Sequence, residues 1–335
     1  MKNYWLALLF QVSFLLVGAQ QAQQDYDGFK KQAETLYQQK EYRSSALKYS
    51  EAFASIGDKG TIDDRYNAAC SWAMANEPDS AFYHLNRIAA SGHFTNLDHL
   101  RQDTDLQSLY QDKRWPEVLA LVKKYKDEKE KDYDKPLVAK LDSIFEQDQR
   151  IRWQADSVYK QFGSDAPEFK ALAEKFKTVD SLNLVAVREI LDTKGWLGPT
   201  VVGEKGTQTL FLVIQHADLK TQQKYLPLLQ EAVVKKELDP ANFALLKDRI
   251  DLREGRKQTY GSQIFRDPQT KEQFVAPLID PDHVDERRKE VGLQPMAEYV
   301  QFFDFTWDLE AYKKNLPHYE RIHEEMVQKE KRNTP

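Results

Sequence analysis

The chain has 335 residues, of which 41% are hydrophobic, 12% aromatic and 30% charged, and its net charge is −5. That length and composition leave room for two globular domains, each able to bury a core, and exclude a disordered or fibrous chain. Mild acidity, with no arginine-rich stripe and no glycine-aromatic motif, excludes a nucleic-acid partner.

Residues 1–19 open with Lys2, run through an apolar stretch from Trp5 to Val17 and end on the small residues Gly18-Ala19. A charged start, a short apolar run and a small-residue cleavage site read as a secretory signal peptide. Gln11 and Ser13 interrupt the run, which is shorter than the roughly 20 residues of a bilayer span, so no membrane span is expected after cleavage. The protein is therefore expected to be exported, periplasmic or secreted, in a bacterium. Its single cysteine, Cys70, lies far from this segment, which excludes a lipoprotein, intramolecular disulfides and a cysteine-cluster zinc site. In Ala68-Ala69-Cys70-Ser71-Trp72 it reads as a small core residue.

Over residues 25–122, Ala33, Leu36, Ser45, Tyr49 and Ala52 recur 36 residues later as Ala69, Trp72, Ala81, Leu85 and Ile88. Small residues let paired helices approach and large ones fill the space between pairs, so the spacing predicts helices over Tyr26–Gln38, Tyr42–Ser55, Arg65–Ala75 and Asp79–Ser91. With Phe29 and Tyr42 these residues resemble the tetratricopeptide-repeat family, which implies a concave helical surface for a protein or peptide partner. Two repeats fall short of a free-standing array, so Leu106 to Tyr125 is expected to cap it.

Residues 123–135 are almost wholly charged and read as a helical linker supported by alternating charges three and four apart. A C-terminal domain over 136–305 follows, then a polar helical tail over 306–335. Leu137, Leu141, Ile144, Phe145, Ile151, Ala155, Val158 and Phe162 form one helical stripe, and Phe169, Leu172, Phe176, Val179, Val187 and Ile190 form the next. Leu210 to Ile214 is apolar on every side, as in a helix buried all round. Asp239-Pro240 starts a helix and Gly255 closes it. Thr259–Phe265 and Gln273–Ile279, separated by Asp267-Pro268-Gln269-Thr270, read as a β-hairpin. The fold class is mainly α: a helical-hairpin repeat followed by an α+β, mostly helical domain with one hairpin.

No phosphate-cradling glycine loop, nucleophile-elbow serine or two-histidine helix motif occurs, and no cofactor or metal is expected. What remains are polar residues in apolar surroundings. Asp148 interrupts its stripe, either as a structural ion pair with Arg150 or Arg152 or as a functional acid. Asn183 does the same on the next stripe and reads as a helix-joining amide. Gln215, His216 and Asp218 end the buried helix, where His216 is either a satisfied core histidine or a general base tuned by a carboxylate. Asp280, Asp282 and His283 read as helix capping in preference to metal ligands. Tyr260 and Gln263, around Gly261, either face a pocket or enter the strand through a turn.

Gly195-Trp196, Gly203, Gln215-His216-Ala217-Asp218, Asp248-Arg249, Tyr260-Gly261-Ser262-Gln263, Ile279-Asp280, Val284-Asp285-Glu286-Arg287-Arg288, Val291-Gly292-Leu293 and Tyr299 together resemble a bacterial domain of unknown function, number 6624, from about Leu137 to Tyr299. Ser262 stands where that pattern has threonine. The resemblance carries no activity, but it groups Gln215, Arg249, Tyr260, Gln263, Trp196 and Asp280 as candidate binders of a small polar ligand, beside His216, Asp218 and Asp148 as candidate catalytic groups. The leading expectation is an envelope protein that binds a protein partner through its repeats and a ligand through its C-terminal domain. The alternative is a hydrolase with His216 as general base.

Overall fold

The computed structural model describes residues 3–163 and 166–333, without the side chains of 3–20, 330, 331 and 333, so the expected signal segment over 1–19 lies outside the side chains described. The chain divides into two compact units, Met1–Lys131 and Asp132–Pro335. It is mainly helical, and among the described residues no helix is long and apolar enough to cross a membrane.

The first unit consists of α1 (Asn3–Gln38), α2 (Tyr42–Ser55), α3 (Ile62–Met74), α4 (Pro78–Ala90), α5 (Leu97–Gln102), a 3-10 turn (Thr104–Leu109) and α6 (Trp115–Lys129). Its helices meet at small residues: Ala33, Ala46, Ala52, Ala68, Ala69 and Ala81 are fully buried, and Tyr49, Phe82, Leu85 and Ile88 fill the space around them. The sequence period persists in the backbone. Lys40 and Asn76, 36 positions apart, are both left-handed (φ 64° and 59°). Each is followed by a residue that donates to the helix end behind it, Glu41 to Leu36 and Glu77 to Trp72. Cys70 is buried, as its apolar neighbours imply.

The second unit consists of α7 (Lys135–Phe162), α8 (Pro167–Lys194), α9 (Pro199–His216), α10 (Leu219–Val234), α11 (Pro240–Arg253), the hairpin strands β1 (Ile264–Arg266) and β2 (Gln273–Val275), then α12 (Val284–Glu290), α13 (Met296–Tyr299) and α14 (Leu309–Asn333). On α7 the stripe of Leu137, Leu141, Ile144, Ile151 and Ala155 is buried, while Phe162 at its end is 54% exposed. Helix α9 is the central element: Leu210, Phe211, Val213 and Ile214 are buried, consistent with the wholly apolar run from Leu210 to Ile214. It bends at Gly203 (φ 72°), and Gly206 lets Val202 and Leu141 pack against the backbone, since a Cβ there would lie 2.9 Å from Val202. The charged run ends α6 at Lys129, and α7 resumes at Lys135, so it is not continuously helical.

The strands pair antiparallel with Phe265 opposite Phe274, but they are shorter than the apolar runs imply. Residues before Ile264 are taken up by side-chain bonds to α11, and the turn is closed by Asp267, which accepts from Gln269 and Thr270 at 2.7 and 3.1 Å.

Candidate functional site

His216 is the last residue of α9, and its Nδ1 lies 3.2 Å from Asp148 on α7. Asp148 also accepts from Arg152, one turn on, at 3.0 and 3.2 Å, and the same guanidinium donates to Asp180 on α8 at 2.8 Å. Asp148 is 2% exposed, whereas His216 and Arg152 keep 21% and 25% of their side chains in contact with solvent. Burial pushes the Asp148 carboxyl up, but the bonds from His216 and Arg152 outweigh it and hold the group at about 2. Asp180 moves the other way: burial raises it, and the opposing pull of Arg152 and His216 does not cancel that effect. Nε2 of His216 makes no hydrogen bond within the described residues.

Arg249 enters from α11. Burial lowers its affinity for a proton, Arg253 and Arg152 act in the same direction, and Tyr299 opposes them. Its Nε is buried with no hydrogen-bond partner. Arg253, one turn later, donates to the carbonyl of Ala217 at 3.0 Å and to Gln222 at 3.1 Å, and Gln222 donates to the carbonyl of Gln215 at 2.8 Å. The backbone on both sides of His216 is thereby tied to α10 and α11.

The segment between α11 and the hairpin is shaped by Asp248, a fully buried carboxylate that accepts from the backbone N–H groups of Thr259, Tyr260 and Ser262 at 2.7, 3.0 and 3.0 Å. Burial raises its pKa and the three donors oppose the rise. Gly261 is left-handed (φ 69°), and a Cβ there would meet Met296 Sδ at 2.9 Å, so any larger residue would be strained and would have to displace Met296. Arg288, 0% exposed, donates to the carbonyl of Tyr260 at 2.7 Å and lies 4.6 Å from the ring of Tyr299, whose hydroxyl donates to the carbonyl of Ser262 at 2.7 Å. Gln263 donates to Ser262 Oγ at 3.0 Å and reaches the carbonyl of Leu245, one turn before Arg249 on α11, at 3.5 Å. This places Gln263 and Tyr299 beside the part of α11 that carries Arg249.

The remaining candidates lie elsewhere. Asp218 caps α10, accepting from the backbone of Thr221 at 2.8 Å and from its hydroxyl at 3.1 Å, so the carboxylate beside the imidazole is Asp148. Trp196 precedes the opposite end of α9, roughly 26 Å away along the helix at 1.5 Å per residue, and donates to the carbonyl of Glu237 at 3.3 Å. Asp280, left-handed and half exposed, accepts from His283 at 2.8 Å in a local turn. Tyr260 contributes its backbone to the Asp248 and Arg288 bonds, and its hydroxyl pKa is raised by burial. Arg152 was legible as the residue one turn beyond Asp148. Asp180 and Arg253 carry no signal in the sequence, because each owes its place to helices distant in the chain, and Arg288 enters there only as part of the family pattern.

Among the described residues, four buried side-chain atoms lack a hydrogen-bond partner: Asn183 Nδ2, Gln215 Oε1, Arg249 Nε and Arg288 Nη2. Asn183 is one turn from Asp180, Gln215 precedes His216, and Arg288 stacks on the Tyr299 ring that influences Arg249. Asn183 is therefore a buried amide whose nitrogen joins no second helix. The only group of metal-ligating type among the described residues is Cys70 with Asp103 and Asp105, in the other unit. Burial and both carboxylates push that thiol up, and Tyr66 already donates to Asp103 at 2.6 Å, so the cluster is satisfied internally.

A family model described as a family of unknown function, DUF6624, matches residues 135–312. No curated protein and no solved structure matches the chain.

Proposed function

Because the chain belongs to the DUF6624 family of unknown function, whose model spans every residue of the His216 cluster, we propose that this domain holds a small oxyanion, a phosphate or carboxylate group, between Arg249, Arg152 and His216. The carrying observation is Arg249, a half-buried residue whose Nε is buried without a partner while two neighbouring arginines repel the guanidinium. Such a cation is costly in isolation, and a bidentate oxyanion is the partner its planar fork suits. The two carboxylates nearby do not supply that partner, since Asp148 and Asp180 are both engaged by Arg152. In the same reading the protein is exported, and its helical repeats dock a protein partner in the envelope.

The test is thermal denaturation with inorganic phosphate. Millimolar phosphate raises the Tm of the wild type, by linkage to the folded state, and leaves the Tm of Arg249→Gln unchanged. An equal shift in both proteins rejects the site. Capture of an envelope partner that survives deletion of residues 26–125 would reject the role given to the repeats, and N-terminal sequencing of the mature protein tests export.

A second reading, hydrolysis, is favoured by the His216–Asp148 pair. Asp148 fixes Nδ1 and leaves Nε2 for a water proton. Turnover of p-nitrophenyl phosphate or p-nitrophenyl acetate by the wild type, lost in His216→Asn, identifies an enzyme; no turnover by the wild type rejects this reading.

A further inference from the structure

On the C-terminal side of the second unit, β2 and the first turns of α14 enclose a hollow of about 560 Å³ that includes none of the His216 cluster. Six of the residues that line it are aromatic. Trp307 and Tyr312 have ring centroids 4.9 Å apart, Tyr312 and Tyr319 are 5.7 Å apart, and Phe305 lines the same space. These rings are held in place: the Tyr312 hydroxyl accepts from the backbone of Leu278 at 2.8 Å and donates to the carbonyl of Ala276 at 3.1 Å, and Tyr319 stacks on Phe274 at 4.2 Å. Trp307, Phe305 and Tyr319 are nevertheless only partly buried, so apolar ring surface faces the hollow.

The rim is mainly acidic. Glu272, Asp304 and Asp308 line the hollow against the single cation Lys271, whose ammonium is turned to the carbonyl of Pro268 at 2.7 Å. Asp308 caps α14 by accepting from Ala311 at 3.0 Å, while Glu272 and Asp304 make no ion pair among the described residues. Lys160, which feels Asp304, is paired with Asp156 at 2.8 Å. Rings with a negative face, preset around a space of small-molecule size and edged by unpaired carboxylates, attract an organic cation. Exposed ring surface beside the carboxylates suits a weakly hydrated cation, whose methyl groups pack on the rings, better than a primary amine, which would have to give up its water.

We propose that this hollow is a second ligand site of the domain and takes a methylated ammonium group, seated against Trp307, Phe305 and Tyr319 with Glu272 and Asp304 at its mouth. The site is independent of the oxyanion centre, so either reading can fail alone.

Choline is the probe, titrated into the full-length protein by calorimetry and by ligand-observed NMR, with 3,3-dimethyl-1-butanol as the uncharged isostere. Choline is expected to bind at least about tenfold more tightly than the isostere, the factor that a cation–π contribution near 1.4 kcal/mol implies. Trp307→Ala should abolish binding, and Trp307→Phe should retain part of it. The double change Glu272→Gln with Asp304→Asn, which removes only exposed carboxylates, should weaken it about tenfold, with circular dichroism reporting an unchanged fold in each variant. Co-sedimentation with phosphatidylcholine vesicles, competed by choline, would assign the group to a lipid headgroup; no co-sedimentation, with choline bound, assigns it to a free small molecule. No binding of choline at millimolar concentration, equal binding of choline and its isostere, or retention of binding by Trp307→Ala overturns the proposal.

Discussion

Asp148 stands on a stripe whose other members are apolar, at 2% exposure, and its ionised state is maintained by His216 and Arg152. Truncation to Asp148→Ala would leave two cationic or polar groups facing an empty buried position and is expected to cost about 3–5 kcal/mol in chemical denaturation, whereas Asp148→Asn, which keeps the shape, costs less. Arg249 predicts the opposite sign. It is a half-buried cation with an unpartnered Nε, so Arg249→Met is expected to stabilise the unliganded protein by on the order of 1 kcal/mol while eliminating the phosphate-dependent rise in Tm. A destabilised Arg249→Met protein would mean that the guanidinium is already satisfied and that the anion site is misplaced.

Among the elements, the turns and caps around the site show which local signals are structural. Asp218 follows His216 by two residues, an arrangement that in sequence reads equally as catalytic support or as a cap, and its bonds to Thr221 make it a cap. Asp218→Ala should therefore lower stability by about 1 kcal/mol and leave the phosphate effect intact. The segment from Thr259 to Ser262 depends on Asp248 in a different way, because three backbone donors converge on one carboxylate. Asp248→Ala is expected to cost roughly 3 kcal/mol or more, one desolvation penalty for each orphaned donor, and to release the Tyr299 and Gln263 contacts, which hydrogen exchange of Tyr260 and Ser262 would report. Helix ends were legible where the chemistry is local: Asp239-Pro240 opens α11, and Gly255 follows it at φ 82°. The strands are shorter than Thr259–Phe265 and Gln273–Ile279 because side chains replace part of the ladder: Asp248 takes the N–H groups of Thr259, Tyr260 and Ser262, and Gln258 bonds the backbone of Gln263 and Ala276.

Across the whole molecule, the two units respond to acid through different groups. His84, in the first unit, is buried among Arg65 and Arg87; burial first, then those cations, lower its pKa from 6.5 to about 4. The unfolded chain takes up a proton that the folded unit refuses, so stability present above pH 6.5 falls as the pH drops toward 4, by on the order of 3 kcal/mol. In the second unit Asp148 is lowered from 3.8 to about 2, so its contribution is intact above pH 3.8 and is lost as the pH falls toward 2, by on the order of 2 kcal/mol. Acid titration followed by circular dichroism should show His84→Gln removing the higher-pH loss and Asp148→Asn removing the lower one. A single window insensitive to both substitutions would contradict this assignment.

The chain by itself determined what depends on periodicity and on local backbone chemistry. The 36-residue recurrence, the all-round apolar stretch of α9 and the cap residues are each read from residues close together in the chain, and the match to the family over residues 135–312 is a property of the sequence as well. Tertiary structure alone decided which polar residues meet. Asp148 and His216 are 68 positions apart, and Arg249 feels Arg152 from a different helix, so no spacing rule relates them. A buried charge acquires its energy from groups brought within a few ångströms by packing, and that arrangement exists only once α7, α8, α9 and α11 have closed on one another.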